Sequence, residues 1–338
     1  SKVANTGLVT LCYLSYGVLP EDDTKYGKAL SKAVDWLAKQ PNEFGDMRDG
    51  GRMYDQAIGT LALSELFILT KDEKYKKPLT AAVEFLSKAQ HPELGGWRYT
   101  PHTAGSTKGA DLSVSGYVYC ALQSAKEAGI NMPNGIVEKA NKYLNELSAG
   151  EEKGLYGYSK PKPKPTMTAV GMLCRQLDGS GLDARQSESA EYLATHLPEP
   201  EQQLPGTGYY HYWYFGTMAM CLYGGDEWAT WHNRLIPIML YHQEKEGNWE
   251  SQGKHASKEG TVVSTAWSTL CLTIYYKCLP MLQKGNDRPS TGILRRTFYL
   301  RDSARYQALR PNSRKAGATA GRAGGTKSST VRTPVPRK

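Results

Sequence analysis

The sequence lacks any apolar run of the roughly 18–20 residues that a membrane-spanning helix needs, because polar residues break every such stretch. It also lacks a Cys-x-x-Cys pair, and only six of its 338 residues are cysteine. Isolated cysteines within apolar segments are typical of free packing residues, which argues against a disulfide framework and favours a reducing compartment. We expect no secretory leader within these residues. Since the chain begins at Ser1, we expect preceding residues, and an exported or cytoplasmic location both stay open.

Phenylalanine is scarce as well, with five residues against 22 tyrosines and seven tryptophans. Tyr and Trp carry a polar atom on an apolar ring, so they suit the rim of a cavity as well as a core. The composition therefore fits an aromatic cavity rim and an aromatic core equally.

The folded part of the chain lacks the positive charge that the net value of +9 suggests. Residues 284–338 hold 14 basic and two acidic side chains, whereas residues 1–283 hold 28 basic and 31 acidic ones. We expect a folded domain over residues 1–283, which binds no nucleic acid specifically, and a basic, mostly disordered tail over 284–338. Such a tail could contact anionic surfaces through charge alone.

A repeated unit organises the chain, and residues 81–122 are its clearest copy. An amphipathic helix ends at Gln90, Gly95-Gly96-Trp97 follows a turn, and a second helix starting near Asp111 is apolar on every side. Related units recur about every 46–57 residues, a spacing typical of stacked helical pairs. The pattern predicts an all-α, (α/α)6 toroid with apolar inner helices and amphipathic outer helices.

The helix boundaries follow from this periodicity. We predict inner helices over residues 5–18, 53–69, 112–128, 166–177, 212–222 and 261–279, and outer helices over 26–40, 75–90, 134–147, 183–196 and 227–243. The polar starts of the inner helices then share one end of the ring, and any site is expected there.

Two of the helix ends carry a recognisable motif: Gln90 before Gly95-Gly96-Trp97, and Gln243 before Gly247-Asn248-Trp249. This motif resembles the QW repeat of squalene cyclases, whose superfamily includes protein prenyltransferase β subunits. The likeness is nearest to single-domain, squalene-cyclase-like chains of planctomycete-type bacteria. It implies a central cavity for an apolar molecule of the isoprenoid class, and a cyclase-like or prenyltransferase-like activity if the chain is an enzyme.

The residues that would carry those activities are missing. At the place where cyclases have their Asp-x-Asp-Asp acid, Asp111 matches the first aspartate, but Ser113 and Val114 replace the next two. A serine hydroxyl cannot protonate an alkene. The zinc ligands of prenyltransferases are absent too, so we expect neither metal nor cofactor. The resemblance therefore implies a non-classical cyclase or a non-catalytic binder.

Asp111 and Asp55 are the candidate catalytic residues, and each can also be read as a helix-capping residue. As a pair on adjacent inner helices, they could serve acid/base chemistry on a sugar. Residues 209–215 form an unbroken run of seven ring side chains, which we expect to lie partly at the mouth of the cavity. The candidate ligand-binding residues are Tyr54, Tyr117, Tyr158, His211, Tyr212, Trp213, Tyr214 and Trp267.

Three functions remain open on this evidence. The first is an isoprenoid-binding toroid, the second a carbohydrate-active (α/α)6 hydrolase or lyase, and the third a non-enzymatic protein-binding scaffold. A closed apolar pocket favours the first, an open groove with two carboxylates the second, and a filled centre the third.

Overall fold

The computed structural model describes residues 1–106, 109–179, 181–199, 209–251, 256–274 and 279–282. The helices are α1 (Lys2–Ser15), α2 (Lys25–Leu37), α3 (Met53–Thr70), α4 (Lys76–Lys88), α5 (Leu112–Glu127), α6 (Ile136–Glu146), α7 (Pro165–Leu177), α8 (Ala184–Ala194), α9 (Tyr209–Tyr223), α10 (Gly225–Tyr241) and α11 (Ala256–Thr273). A two-residue antiparallel ribbon joins β1 (Ser148–Ala149) to β2 (Leu155–Tyr156). Short 3-10 turns cover Glu73–Tyr75 and Pro280–Leu282.

The odd-numbered helices form a closed inner ring. Each packs against the next odd-numbered helix, and α11 packs against α1 to complete the circle. The even-numbered helices lie outside, each against the inner helix that precedes or follows it. The expected (α/α)6 toroid is confirmed, with six inner and five outer helices among the described residues.

The two layers differ in burial as the periodicity predicts. Every residue of α5 from Leu112 to Leu122 is buried, so this inner helix has no wet face along that length. Outer helix α6 buries a single stripe, made of Ile136, Ala140, Tyr143 and Leu144. Glycine lets the inner helices approach closely, since a Cβ added to Gly116 on α5 would lie 2.2 Å from Val170 Cγ1 on α7.

The Gln and Trp residues of the repeat fasten helix ends to the turns that follow them. Gln90 Nε2 donates to Gly95 O (2.8 Å) and to Ile136 O (2.9 Å), while Trp97 Nε1 donates to Leu86 O (2.8 Å). Trp249 Nε1 makes the equivalent bond to Met239 O (2.8 Å). The tryptophan bonds satisfy carbonyls in the last turns of α4 and α10, and Gln90 joins its turn to the start of α6, so these residues are structural.

The aromatic run at residues 209–215 differs from expectation. It lies in helix α9 from its first residue, and the side chains from Tyr210 to Phe215 are all at most 5% exposed. These six side chains therefore do not lie open at the mouth of the cavity, as part of the run was expected to. The reason is that α9 sits between α7 and α11 in the ring, with α8 and α10 outside it, so both its faces are covered.

Smaller differences concern helix boundaries. Helix α1 begins at Lys2, and α11 begins at Ala256 with a kink at Gly260 (φ 71°). None of the helices described is long and apolar enough to cross a bilayer. The expectations for residues 284–338 lie outside the described residues, and the division after residue 283 stays a prediction.

Candidate functional site

The centre of the ring is occupied by side chains. Trp267 on α11 donates from Nε1 to Tyr117 Oη on α5 over 3.0 Å. These helices are three places apart in a ring of six, so the bond joins opposite sides of it. Around Tyr117 lie the rings of Tyr54 (5.8 Å between centroids), Phe215 (4.8 Å) and Tyr214 (6.3 Å, stacked).

His211 belongs to this central cluster. Its ring packs on Tyr117, Phe215 and Trp267, and neither ring nitrogen has a hydrogen-bond partner. Burial lowers the pKa of His211 to about 4, because the cationic form would lose its hydration, so the ring is neutral at pH 7. Within the described part of the chain, no group of three or more His, Cys, Asp or Glu is arranged to hold a metal ion.

Asp111 lies at the rim, where the inner helices begin. As the N-cap of α5 it accepts from Val114 N at Oδ1 (3.0 Å), and Ser113 Oγ donates to the same oxygen (2.6 Å). Tyr54 Oη in turn donates to Ser113 Oγ (2.7 Å), which extends the chain of hydrogen bonds to α3.

The second oxygen of Asp111 is held differently. Oδ2 is buried and makes no hydrogen bond of good geometry, and its polar neighbours are Arg98 Nη1 at 3.4 Å and the Tyr158 hydroxyl. Burial raises the pKa of the Asp111 carboxyl above its ordinary range, and this effect outweighs the opposing hydrogen bonds and the charge of Arg98. A carboxyl with a raised pKa in a polar cluster is typical of an acid catalyst, although structural groups show it too.

Asp55 is engaged on both oxygens. It sits in the first turn of α3, where Oδ2 accepts from Arg52 N (2.7 Å) and Oδ1 accepts from the Ser1 hydroxyl. It is 6% exposed. Both candidate carboxylates are therefore helix-capping groups in this structure, and a catalytic role for either stays a prediction.

A strip of tyrosine and arginine covers the rim beside Asp111. Tyr99 Oη and Tyr158 Oη lie 2.7 Å apart, and the Arg98 guanidinium lies over both rings, 5.3 Å and 5.8 Å from their centroids. Arg52 lies over Tyr99 at 5.2 Å. All four side chains are partly or fully open to solvent. Tyr99 and Arg52 were not predicted from the sequence, although Arg98-Tyr99 directly follows Trp97, the last residue of the repeat motif.

A pocket of about 440 Å³ opens on the other side of Arg98. Its lining comes from the turn after α4, the C-terminal end of α6 and the segment before α7: Leu94, Arg98, Gly109, Ala110, Tyr143, Glu146, Leu147, Ser159, Lys160 and Pro161. The sequence did not predict this pocket, because its lining is assembled from separate loops and from three residues at the end of outer helix α6, whose periodicity reports only packing.

The other predicted ligand-binding residues divide into three groups. Tyr54 and Tyr158 lie at the rim with Asp111. Tyr117, His211, Tyr214 and Trp267 lie in the filled centre. Tyr212 and Trp213 face neither: Tyr212 Oη donates to His196 O (2.5 Å) and packs on Trp231, and Trp213 packs on Tyr210.

No family model matches the chain, and no curated protein matches it. Its fold is similar to that of GH76A alpha-1,6-mannanase from Salegentibacter sp. HEL1_6, with a TM-score of 0.57, 13% identity, and 84% of this chain and 90% of that chain covered. An inactive variant of that enzyme in complex with alpha-1,6-mannotriose gives the same values. Another inactive variant, with alpha-1,6-mannotetrose, gives a TM-score of 0.54 at 14% identity, over 83% and 88% of the chains. At such identities the likeness shows the fold alone.

These structures correct the family resemblance. The solved structures of similar fold are mannanase toroids. The expected membership of the squalene cyclase and prenyltransferase superfamily, which was drawn from the repeat motif, is therefore wrong. The physical reason is that Gln90 and Trp97 bond to backbone carbonyls, a function that any stack of helical pairs can use.

The expected isoprenoid ligand is wrong as well. Two of the similar structures contain bound oligosaccharides. In this chain, the central cavity expected to bind an apolar molecule is filled by the side chains of Tyr117 and Trp267. One difference from the mannanase is also clear. Its inactive variants replace two consecutive aspartates, whereas the consecutive aspartates of this chain, Asp22 and Asp23, lie between α1 and α2, at the end of the ring away from the rim.

Proposed function

We propose that this protein is a carbohydrate-active (α/α)6 toroid whose site is the rim around Asp111. The observation that carries the proposal is the state of this carboxyl: Oδ2 is buried, and its contacts are two residues of the tyrosine and arginine strip, Tyr158 and Arg98, of which Arg98 also lines the pocket. The toroid fold, shared with enzymes that bind mannotriose and mannotetrose, supports the same substrate class.

The rim offers the contacts that a sugar needs. Tyr99 and Tyr158 are partly exposed, and their rings and hydroxyls would contact the apolar face and the hydroxyls of a pyranose once the Arg52 and Arg98 side chains move off the rings. Arg52 and Arg98 add N–H donors on the same strip. The filled centre restricts a polymer to this surface.

Asp111 is the proposed acid. Its raised pKa keeps more of the carboxyl protonated, and a protonated Oδ2 can donate to a leaving oxygen of a glycosidic bond. Asp55 is the proposed second carboxylate. It would act after the Ser1 hydroxyl leaves Oδ1, since the Arg52 amide would still hold Oδ2.

The test is a panel of soluble polysaccharides incubated with purified protein, followed by product analysis. We expect cleavage of at least one polysaccharide, abolished in Asp111→Asn while binding persists. New reducing ends alone indicate a hydrolase, and products with the ultraviolet absorbance of an unsaturated sugar indicate a lyase. Cleavage that Asp111→Asn leaves unchanged would contradict the assignment.

A second candidate is a non-enzymatic scaffold that binds a partner on the rim. The bond between Tyr117 and Trp267 favours it, because a filled ring leaves a surface and no deep cleft. Saccharide or protein binding without any turnover would select this candidate over the first.

A further inference from the structure

The pocket beside Arg98 has more hydrogen-bond donors and positive charge than a neutral sugar requires. Arg98 and Lys160 supply two cations to its lining, and Ser159 supplies a hydroxyl. Its one acidic lining residue, Glu146, faces Lys142 at 3.8 Å in an i,i+4 pair. Among the described residues, no ion pair engages Lys160.

The segment that forms one wall adds to this charge. It reads Lys-Pro-Lys-Pro-Lys-Pro over residues 160–165, and Lys160, Lys162 and Lys164 are all exposed. Residues 158–161 form a bend that an antiparallel bridge between Gly157 and Pro163 closes, so three ammonium groups follow one another on this loop without an intervening acid. Anions are attracted to this side of the rim.

One buried polar atom next to this wall has no hydrogen-bond partner: Tyr143 Oη, on a side chain that is 4% exposed. Asp111 Oδ2 is also buried, and its contacts are the Arg98 guanidinium and the Tyr158 hydroxyl. Tyr143 lies close enough to both charged groups that Asp111 raises and Arg98 lowers its pKa, although burial is the main cause of its rise. Since an unpaired buried polar group is costly, this is a strained arrangement that a ligand can relieve.

Arg98 stands between the pocket and these atoms. Its side chain is 34% exposed, and its ion pair with Asp111 is long, at 3.4 Å. A guanidinium prefers a carboxylate that can accept two parallel N–H bonds, and Asp111 cannot offer this, because Oδ1 is committed to Ser113 and Val114. A carboxylate that enters the pocket can.

We propose that this pocket binds the carboxylate of an acidic sugar unit, a uronate, which competes with Asp111 for Arg98. The inference rests on the proposed function, which it narrows to acidic polysaccharides. Once Arg98 turns toward the ligand, Asp111 loses its counter-charge and takes up a proton, while Tyr143 Oη gains a partner. Binding of the substrate would thereby generate the protonated acid that the proposed reaction uses.

The test is isothermal titration calorimetry with trisaccharides of galacturonate, glucuronate and mannuronate, each against its carboxyl-reduced neutral counterpart. We expect at least one uronate to bind, with affinity lowered about tenfold or more by carboxyl reduction, which is the effect of losing a charge-assisted hydrogen bond. Titration in two buffers of different ionisation enthalpy should show proton uptake on binding, and Asp111→Asn should abolish that uptake.

Three variants locate the effect. Arg98→Met and Lys160→Met should each weaken uronate binding, and Lys77→Met, an exposed lysine on α4, is the matched control. Tyr143→Phe removes a hydroxyl that has no partner in the free protein, so it should fold normally and still weaken the uronate. Its matched control is Tyr241→Phe, at an 84% exposed tyrosine on α10.

The outcomes separate this inference from the proposed function. Equal binding of a uronate and its reduced counterpart, or binding of neutral trisaccharides alone, would overturn the inference and leave the carbohydrate function standing. If none of the trisaccharides binds and no polysaccharide is cleaved, both are wrong.

Discussion

Trp267 donates a hydrogen bond to Tyr117 across the full width of the inner ring, between helices that are 150 residues apart in the sequence. The bond is buried and surrounded by the rings of His211, Tyr214 and Phe215. The bond links opposite sides of the closed ring of helices, so its loss should lower the stability of the whole domain.

Tyr117→Phe should lower the free energy of unfolding by about 1–3 kcal/mol, because the Trp267 N–H would then be buried without an acceptor. Chemical denaturation followed by circular dichroism measures it. Tyr241→Phe, at an exposed position, should change stability by less than about 0.5 kcal/mol. Equal stability of Tyr117→Phe and the wild type would mean that the centre is open to water.

The close approach of α5 and α7 gives a second prediction. Gly116→Ala should destabilise the protein by about 1–3 kcal/mol, since the new methyl would meet Val170 Cγ1 at 2.2 Å. Gly109→Ala is the control, because its nearest atom, Leu94 Cδ1, is 4.0 Å away. The urea concentrations at the unfolding midpoints of the two variants give the comparison. An equal loss of stability in both variants would contradict the close approach of α5 and α7.

Two buried titratable groups predict opposite dependences of stability on pH. Burial raises the pKa of Glu65 from 4.5 to about 7, and its carboxylate accepts from Ser124 Oγ (2.5 Å). The folded state therefore binds a proton on Glu65 more tightly than the unfolded state does. The stability that Glu65 contributes is fully present below pH 4.5 and is lost as the pH rises to 7. His211 is opposite: its pKa falls from 6.5 to about 4, so its contribution is full above pH 6.5 and is lost as pH falls to 4.

Each contribution is roughly 3 kcal/mol, so in the wild type they offset one another between pH 4.5 and 6.5. In Glu65→Gln only the effect of His211 remains, so the free energy of unfolding should rise relative to the wild type as the pH rises from 4.5 to 6.5. In His211→Phe only the effect of Glu65 remains, so it should fall over the same range. Denaturation curves at several pH values give the difference between variant and wild type, and parallel curves would show that neither group is buried as described.

The helix-end bonds offer a further test. Gln90→Leu keeps the volume of the side chain but leaves Gly95 O and Ile136 O without their donor, and should cost about 1–3 kcal/mol. Gln243→Leu should cost less, because Gln243 makes one such bond, to Gly247 O, and that bond is exposed. Thermal denaturation of the two variants should rank them in that order.

Much of the fold could be predicted because helical periodicity reports burial directly. The all-round apolar pattern of α5 predicted an inner helix, and the single stripe of α6 predicted an outer one. The aromatic run of α9 was expected to lie partly at the mouth of the cavity, but residues 210–215 are buried. The spacing of residues in the sequence does not reveal how many neighbouring helices cover a helix. Tyr212 meets Trp231 on the outside, and His211 meets Trp267 on the inside.

The site was predicted only in part. Asp111 and Tyr158 were expected at the mouth because both precede or begin inner helices, and they do lie together there. The pocket could not be foreseen, since it depends on Tyr143, whose position on α6 marks it as a packing residue. The family resemblance failed for a related reason: a motif that closes helix ends carries information about stacking and none about ligands.

The most direct test of the account is a crystal structure of the protein soaked with the oligosaccharide that binds it best. The account predicts sugar density on Tyr99 and Tyr158, within hydrogen-bond distance of Asp111 Oδ2, with Trp267 still bonded to Tyr117. Density in the middle of the ring, with Trp267 displaced from Tyr117, would contradict it.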